Sequence, residues 1–316
     1  MVKLDNVTVI GAGTMGHSLA LLFARAGSNV TLCDINQEIL NAAKRKIASS
    51  LETSVAYEPT DEPMPDILAR LATSADTVAS VKNADMVLEV VVEKAEVKRK
   101  VFSDIADHLR PDVVLSSNTS VLNIFELVPE RLLPRTVMTH FFVPPHVIPL
   151  VEIVGNEQTA PDIAPALKAY LEKAGMVPVV LSKFIPGFII NRIQRAIYRE
   201  AYALVGDGII DAEQFDTAIK ASLGIRYPIQ GVLKNRDMAG LDSTLNVWKS
   251  QVLGLANNED VPPILEKLVA EGRCGMKCGK GFYDYAGQTP EEITRESESQ
   301  LFLMRKLMRE TGNLKL

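Results

Sequence analysis

The stretch VTVIGAGTMGHSLALLFARAGSNVTLCD (7–34) decides how the first half of the chain folds. VTVI (7–10) is a short apolar run, as expected of a buried strand. Gly11, Gly13 and Gly16 follow, then the helix-like SLALLFARAG, and the next apolar run, VTLCD, ends on Asp34. A G-x-G-x-x-G triplet alone is a weak signal, because glycines cluster in many turns. Here a strand precedes it, a helix follows it and an acid closes the second strand, which is the context a dinucleotide site requires. Gly11 lets the chain turn off the strand, and Gly13 removes the side chain where a pyrophosphate must approach the backbone. Gly16 allows close helix–strand packing. Thr14 and Met15 complete this cofactor-binding turn, and the helix start offers N–H donors to phosphate. Asp34 is placed to accept from a ribose 2′-hydroxyl and would repel a 2′-phosphate. Ile35 and Asn36 follow it, with no Arg or Lys, so the expected cofactor is NAD and not NADP.

Outward from this stretch, the alternation continues. ADMVLEVVVE (84–93) reads as a strand entering a loop, and EVKRKVFSDIADHL (96–109) has helical spacing at Val97, Val101, Phe102 and Ile105. DVVLSSN (112–118) is a further strand, and SSNTS begins a turn. Repeated β–α alternation predicts an α/β fold with a Rossmann-type, doubly wound sheet and ligands at the strands' carboxyl ends. YEPTDEPMPD (57–66), with three prolines and four acids, reads as a loop. VMTHFF (137–142) and LVEIV (150–154) read as strands around a proline-rich turn, with a helix near 161–174 and a strand at MVPVVLS (176–182). From Pro186 the pattern changes. Phe188, Ile193, Ile197, Ala201 and Leu204 fall at helical spacing, and DAEQFDTAIKASLG has an N-cap-like Asp211 and a terminal Gly224. The expected organisation is an NAD-binding domain at 1–185 and an all-α C-terminal domain at 186–316. An extensive apolar helical face predicts burial against a partner subunit.

Composition limits the partners. The chain of 316 residues is 47% hydrophobic and 23% charged, a balance that argues against disorder, collagen and a disulfide-rich mini-protein. A net charge of −5 makes nucleic acid or an anionic membrane an unexpected main partner. No apolar run reaches the ~18 residues of a membrane span, and a first strand beginning by Val7 leaves no room for a cleavable leader. Three cysteines form no C-x-x-C pair and no Cys/His cluster, which predicts free thiols, a cytoplasmic location and no metal site.

Of four histidines, His140 lies inside the apolar strand VMTHFF, with Glu152 in the next apolar strand. Two strands joined by a short turn can bring them side by side. The carboxylate would hold one imidazole nitrogen and stabilise the imidazolium. On pattern alone, a satisfied core histidine beside a charged strand end fits as well. Alcohol oxidation needs a base for the hydroxyl proton, and that requirement favours His140. Ser120 follows a sheet strand on the ligand side and could equally cap a helix. Asn191 interrupts the apolar helix start GFIINRI, where an interface hydrogen bond is the alternative. Glu93 and Lys98 flank the fourth strand's exit, where most charges are solvated surface.

Taken in fixed order, VIGAGTMG (9–16), VVEKAEVK (91–98), SSNTS (116–120), HFFVPP (140–145), LVEIV (150–154), PGFIINR (186–192) and GMKCGKGFYDY (275–285) give a chain that resembles the L-3-hydroxyacyl-CoA dehydrogenase family over most of its length. The resemblance implies His140 as general base, Glu152 as its partner, and Ser120 and Asn191 as residues orienting the substrate's reacting oxygens. It places Asp34, Glu93 and Lys98 on the cofactor side, with Lys277 closing over the cofactor from the C-terminal domain. It also implies a homodimer formed through the helical domain.

Two departures separate this chain from the family pattern. Val143 stands where members carry the Asn of HFFNP, an Asn near both cofactor and acyl thioester. The basic stretch that would meet coenzyme A phosphates is thin: Lys44, Arg45 and Lys46 could serve, or could be a solvated helix face. A helical extension at 289–311 and the runs RIQRAIYREAYALVGDGIID (192–211) and LGIRYPIQG (223–231) also resemble branches acting on hydroxy acids without CoA: gulonate dehydrogenase/lambda-crystallin and the pyridine-carboxylate dehydrogenases. The expected activity is NAD-dependent oxidation of a short L-3-hydroxyacyl-CoA. The same chemistry on a free 3-hydroxy acid is the alternative, and a catalytically silent, crystallin-like NAD-binding protein is the third reading.

Overall fold

The computed structural model describes residues 4–250, 253–257 and 259–314. The chain divides into two compact units between Ile189 and Ile190. In the first unit the order is β1 (Asn6–Ile10), α1 (Gly16–Arg25), β2 (Asn29–Cys33), α2 (Gln37–Tyr57), α3 (Met64–Ala69), β3 (Leu71–Ser74) and α4 (Thr77–Val81). β4 (Met86–Glu89), α5 (Ala95–Ala106), β5 (Val114–Ser117), β6 (Thr136–Phe141), β7 (Leu150–Gly155), α6 (Ile163–Lys173) and β8 (Val177–Leu181) follow. The sheet runs β3-β2-β1-β4-β5-β6-β7-β8. All neighbours pair parallel except β6 and β7, which are antiparallel.

The local reasons are ordinary ones. β4 and β5 are buried at every residue, as strands covered on both faces must be. One cluster packs α1, α2 and α6 against the sheet through Leu19, Phe23, Leu40 and Leu167; the other brings Phe102 and Ile105 of α5 onto it. Helices on both faces make the sheet doubly wound. From β1 the chain steps outward to β2 and β3, then returns to place β4 on the other side of β1. That reversal opens a crevice at the carboxyl ends of β1 and β4, where such sheets bind ligands.

Three local expectations change. Only the middle of 57–66 is irregular: Tyr57 ends α2, and Pro63 caps α3, which carries Pro65 in its first turn. Proline initiates here because its missing N–H would have had no partner anyway. Phe188 is not on a helix. It precedes α7, has φ +49° and is fully buried in the first unit's core. Gly224 does not end its helix, because Ser222 (φ −118°, ψ −76°) breaks the run after Ala221 and the chain re-enters a helix at Leu223.

The second unit comprises α7 (Ile190–Gly206), α8 (Ala212–Ala221), α9 (Leu223–Gln230), α10 (Val232–Ala239), α11 (Leu241–Ser250), α12 (Pro263–Ala270) and α13 (Pro290–Glu310). Asp211 caps α8 through the Gln214 N–H, and Thr289 with Glu292 forms a capping box on α13. Among its described residues only Ala201, Gly281, Phe302 and Arg305 are buried. Ile193 and Ile197, on the apolar face of α7, are exposed. No helix among the described residues is long and apolar enough to cross a membrane.

Candidate active site at the carboxyl edge of the sheet

Gly11 leaves β1 with φ +108°, and its N–H donates to the Cys33 carbonyl of β2 at 2.7 Å. A Cβ on Gly11 would lie 2.9 Å from the Val90 carbonyl, and one on Gly16 would lie 1.7 Å from the Gly11 carbonyl oxygen. These two glycines are required by backbone packing. Gly13 differs: nothing lies within 4 Å of the position its Cβ would take, and both Gly13 and Thr14 are exposed. No side chain caps the start of α1, and no acid occupies its first turn. An open backbone cradle at an uncapped helix start fits a pyrophosphate. Asp34 follows β2. Its Oδ2 accepts from the Ala12 N–H at 2.9 Å and its Oδ1 from the Asn36 N–H at 3.0 Å. A carboxylate has lone pairs beyond these two bonds for a ribose hydroxyl.

At the next strand ends, Glu93 Oε1 accepts from the Thr119 hydroxyl at 2.6 Å and the Ser120 and Val121 N–H groups at 2.9 and 3.1 Å. Burial works to raise the Glu93 carboxyl, but the Thr119 hydroxyl, the Lys98 ammonium and the loop amides outweigh it and hold the group below the usual range. Lys98 is not solvated surface: its side chain has no exposed area and it pairs with Glu89 and Glu93. Ser120 does not cap a helix. Its N–H belongs to Glu93, no hydrogen bond is formed by its hydroxyl among the described residues, and its half-buried side chain is carried just past β5. Asn118 Oδ1 accepts from the Phe141 N–H at 2.7 Å, which ties this turn to the end of β6.

His140 and Glu152 are cross-strand partners in the β6–β7 register. His140 Nδ1 lies 2.7 Å from Glu152 Oε2, and Glu152 Oε1 accepts from the Ile189 N–H at 2.9 Å. Both side chains are buried, His140 at 5% exposure and Glu152 at 1%. With a carboxylate on Nδ1, that nitrogen carries the proton, and Nε2 is left as the basic one. Phe188 stacks on the imidazole at a centroid distance of 4.9 Å and Phe142 lies at 4.5 Å. A non-glycine residue at positive φ is held against its preference. Here it delivers the Phe188 ring to His140 and the next N–H to Glu152. Phe188→Ala is expected to destabilise the first unit by about 3–5 kcal/mol, measured by urea unfolding; a loss below about 1 kcal/mol would show that this ring is not a core element.

Asn191 and Lys277 belong to the helical unit. Asn191 is half-buried in the first turn of α7, and Lys277 is exposed in the short turn Met276–Cys278. Sequence reasoning missed Glu89, Asn118, Thr119 and Phe188. An acid inside the apolar run MVLEVVV was the available signal for Glu89, since a charge in a buried strand needs a partner. Cys33 is buried, Cys274 and Cys278 are exposed, and all three are free. The described residues contain no group of three or more potential metal-ligating His, Cys, Asp or Glu side chains.

A family profile described as "3-hydroxyacyl-CoA dehydrogenase, NAD binding domain" matches residues 6–184, and its companion, "3-hydroxyacyl-CoA dehydrogenase, C-terminal domain", matches 187–285. The chain belongs to the 3-hydroxyacyl-CoA dehydrogenase family. It is thereby an NAD-dependent oxidoreductase of that type. The chain is 31% identical to the 5-formyl-3-hydroxy-2-methylpyridine 4-carboxylate 5-dehydrogenase of Mesorhizobium japonicum, over 96% of this chain and 98% of that one. Among solved structures, it resembles a 5-formyl-3-hydroxy-2-methylpyridine 4-carboxylic acid 5-dehydrogenase described as an NAD+-dependent dismutase, with TM-score 0.87, 29% identity and coverage of 97% and 99%. It also resembles the (S)-3-hydroxybutyryl-CoA dehydrogenase of Ralstonia eutropha, with TM-score 0.71, 30% identity and coverage of 90% and 100%.

Proposed function

We propose that this family member oxidises a hydroxyl-bearing carbon of a small free carboxylate, reversibly, with His140 as general base. The observation that carries the chemistry is the buried His140–Glu152 pair at the ligand edge of the sheet. NAD, when bound, supplies the hydride acceptor. Nε2 of His140 takes the hydroxyl proton, and Glu152 stabilises the imidazolium that results. In the reverse direction protonated His140 donates to the carbonyl oxygen. Ser120 offers its hydroxyl to the reacting oxygen, and Asn191 and Lys277 keep the roles the family implies.

The substrate class rests on three observations. At nearly equal identity, shape similarity and the share of this chain covered are greater for the pyridine-carboxylate enzyme than for the CoA enzyme. Val143 replaces the family's Asn and is exposed. Lys44, Arg45 and Lys46 lie exposed on α2, where a solvated face explains them. A short L-3-hydroxyacyl-CoA, such as 3-hydroxybutyryl-CoA, is the second reading, favoured by the family description itself. NADH oxidation at 340 nm separates them, using acetoacetyl-CoA, acetoacetate and pyridine carboxylates bearing a formyl group. Turnover with free carboxylates alone supports the first reading. Turnover with acetoacetyl-CoA alone replaces it with the second. NADH binding without turnover on any substrate would favour the silent, crystallin-like reading.

The helical unit is proposed to be completed by a second copy of the chain. Ile225, Leu233, Met238, Leu241 and Trp248 of α9, α10 and α11 are exposed. Tyr202, Phe215 and Phe282 line an open pocket in the same unit. Large apolar side chains exposed in this number support the reading of this surface as an interface. Sedimentation is expected to show a dimer, with a thermal midpoint that rises with protein concentration. A monomer with a concentration-independent midpoint contradicts it.

A further inference from the structure

Glu89 ends β4 beside the reversal in strand order, and its side chain has no exposed surface. The proton transfer assigned to His140 and Glu152 makes no use of it, yet every bond around it leads toward the ligand edge. Glu89 Oε1 accepts from the Val91 N–H at 2.7 Å, and Oε2 accepts from the Ser117 hydroxyl at 2.5 Å. The Lys98 ammonium, reaching over from α5, lies 2.9 and 3.0 Å from the two Glu89 oxygens. It also lies 3.2 Å from Glu93 Oε2. Three N–H donors thus meet three carboxylate oxygens. The other Glu93 oxygen gathers the Thr119 hydroxyl and the Ser120 and Val121 amides.

The direction of dependence follows from burial. Glu93 is about one-third exposed, so alone it could swing into water. Lys98 prevents this, but an ammonium with no exposed surface cannot stay buried on one partly solvated carboxylate. Glu89 provides the second, fully buried opposite charge. Burial pushes the Glu89 carboxyl up, and Lys98, Ser117 and the Val91 amide act against that rise.

We propose that Glu89 is a positioning residue of the active site: by anchoring Lys98 it fixes Glu93, and through Glu93 it sets the Thr119–Val121 backbone that presents Ser120. This rests on the reading of that edge as the site of hydride transfer, but its test does not.

Hydrogen exchange on the full-length apo protein reads the loop directly. In Lys98→Met and in Glu89→Gln, the Ser120 and Val121 amides are expected to exchange about tenfold faster, because each loses a bond to a fixed carboxylate. The Ile153 and Val154 amides of β7 should be unchanged, and the Kd for NADH should rise about tenfold. The decisive variant is Glu89→Leu combined with Lys98→Met. Replacing both buried charges by apolar groups of similar size should return the thermal midpoint toward wild type, while the loop still exchanges fast because Glu93 has lost its hold. If the double variant, or Glu89→Gln in a folded protein, keeps wild-type exchange at Ser120 and Val121, the proposal is overturned and the pair only fills the core. If the wild type fails to bind NADH, the functional reading fails, and the exchange data still decide this point.

Discussion

Replacing His140 by alanine is expected to lower kcat by about 10²–10⁴-fold, the usual contribution of a positioned general base, with the Kd for NADH little changed. The reasoning is geometric. Nδ1 is committed to Glu152 at 2.7 Å, so Nε2 is the nitrogen available to exchange a proton with substrate. The proposed cofactor cradle lies elsewhere, at the turn after β1 and Asp34. Alanine also leaves a buried carboxylate without its imidazole, so part of any loss could be structural. His140→Gln separates the two effects, because its amide can still donate to Glu152 while offering no titratable nitrogen. Both variants should be inactive, and the glutamine variant should keep the higher unfolding midpoint. A glutamine variant within tenfold of wild-type kcat would remove His140 from the chemistry.

The legible and illegible parts of this molecule differ in their physics. Gly11 and Gly16 could be read because each answers a backbone requirement at fixed spacing, whereas the proposed roles of Gly13 and Asp34 depend on the cofactor. His140 and Glu152 could be read because a two-residue period and a short turn allow few registers, and the antiparallel β6–β7 pairing places them opposite one another. α3, β3 and α4 had no such signal. At six, four and five residues they are too short for a hydrophobic period to emerge. Lys98 was assigned to the cofactor side only by family resemblance, since a lone lysine after a strand usually faces water. Its burial depends on Glu89, on another element, and spacing along the chain does not encode that pairing. Phe188 read as helical because it opens the apolar run FII (188–190) just before Ile193 and Ile197, although at five and nine residues it is out of phase with them. The left-handed turn at Gly187 and Phe188 puts it in the first unit's core instead.

Gly16→Ala and Gly13→Ala are expected to fail in opposite ways, and the contrast tests the placement of the cofactor without any substrate. At Gly16 the new Cβ would lie 1.7 Å from the Gly11 carbonyl oxygen and 3.2 Å from a Val90 methyl. The first contact is with backbone that itself bonds β2 and cannot rotate aside. The helix must move off the strand, at a cost of about 3 kcal/mol or more, visible as a lower urea midpoint even without NAD. At Gly13 the same methyl meets nothing within 4 Å. The apo protein should keep its stability to within about 0.5 kcal/mol. The methyl would instead occupy the space where pyrophosphate approaches the backbone, so the Kd for NADH should rise more than about tenfold. A Gly13→Ala protein that binds NADH as the wild type does would mean that the phosphates do not sit on this turn. The role of Asp34 on the ribose would then have to be abandoned with it.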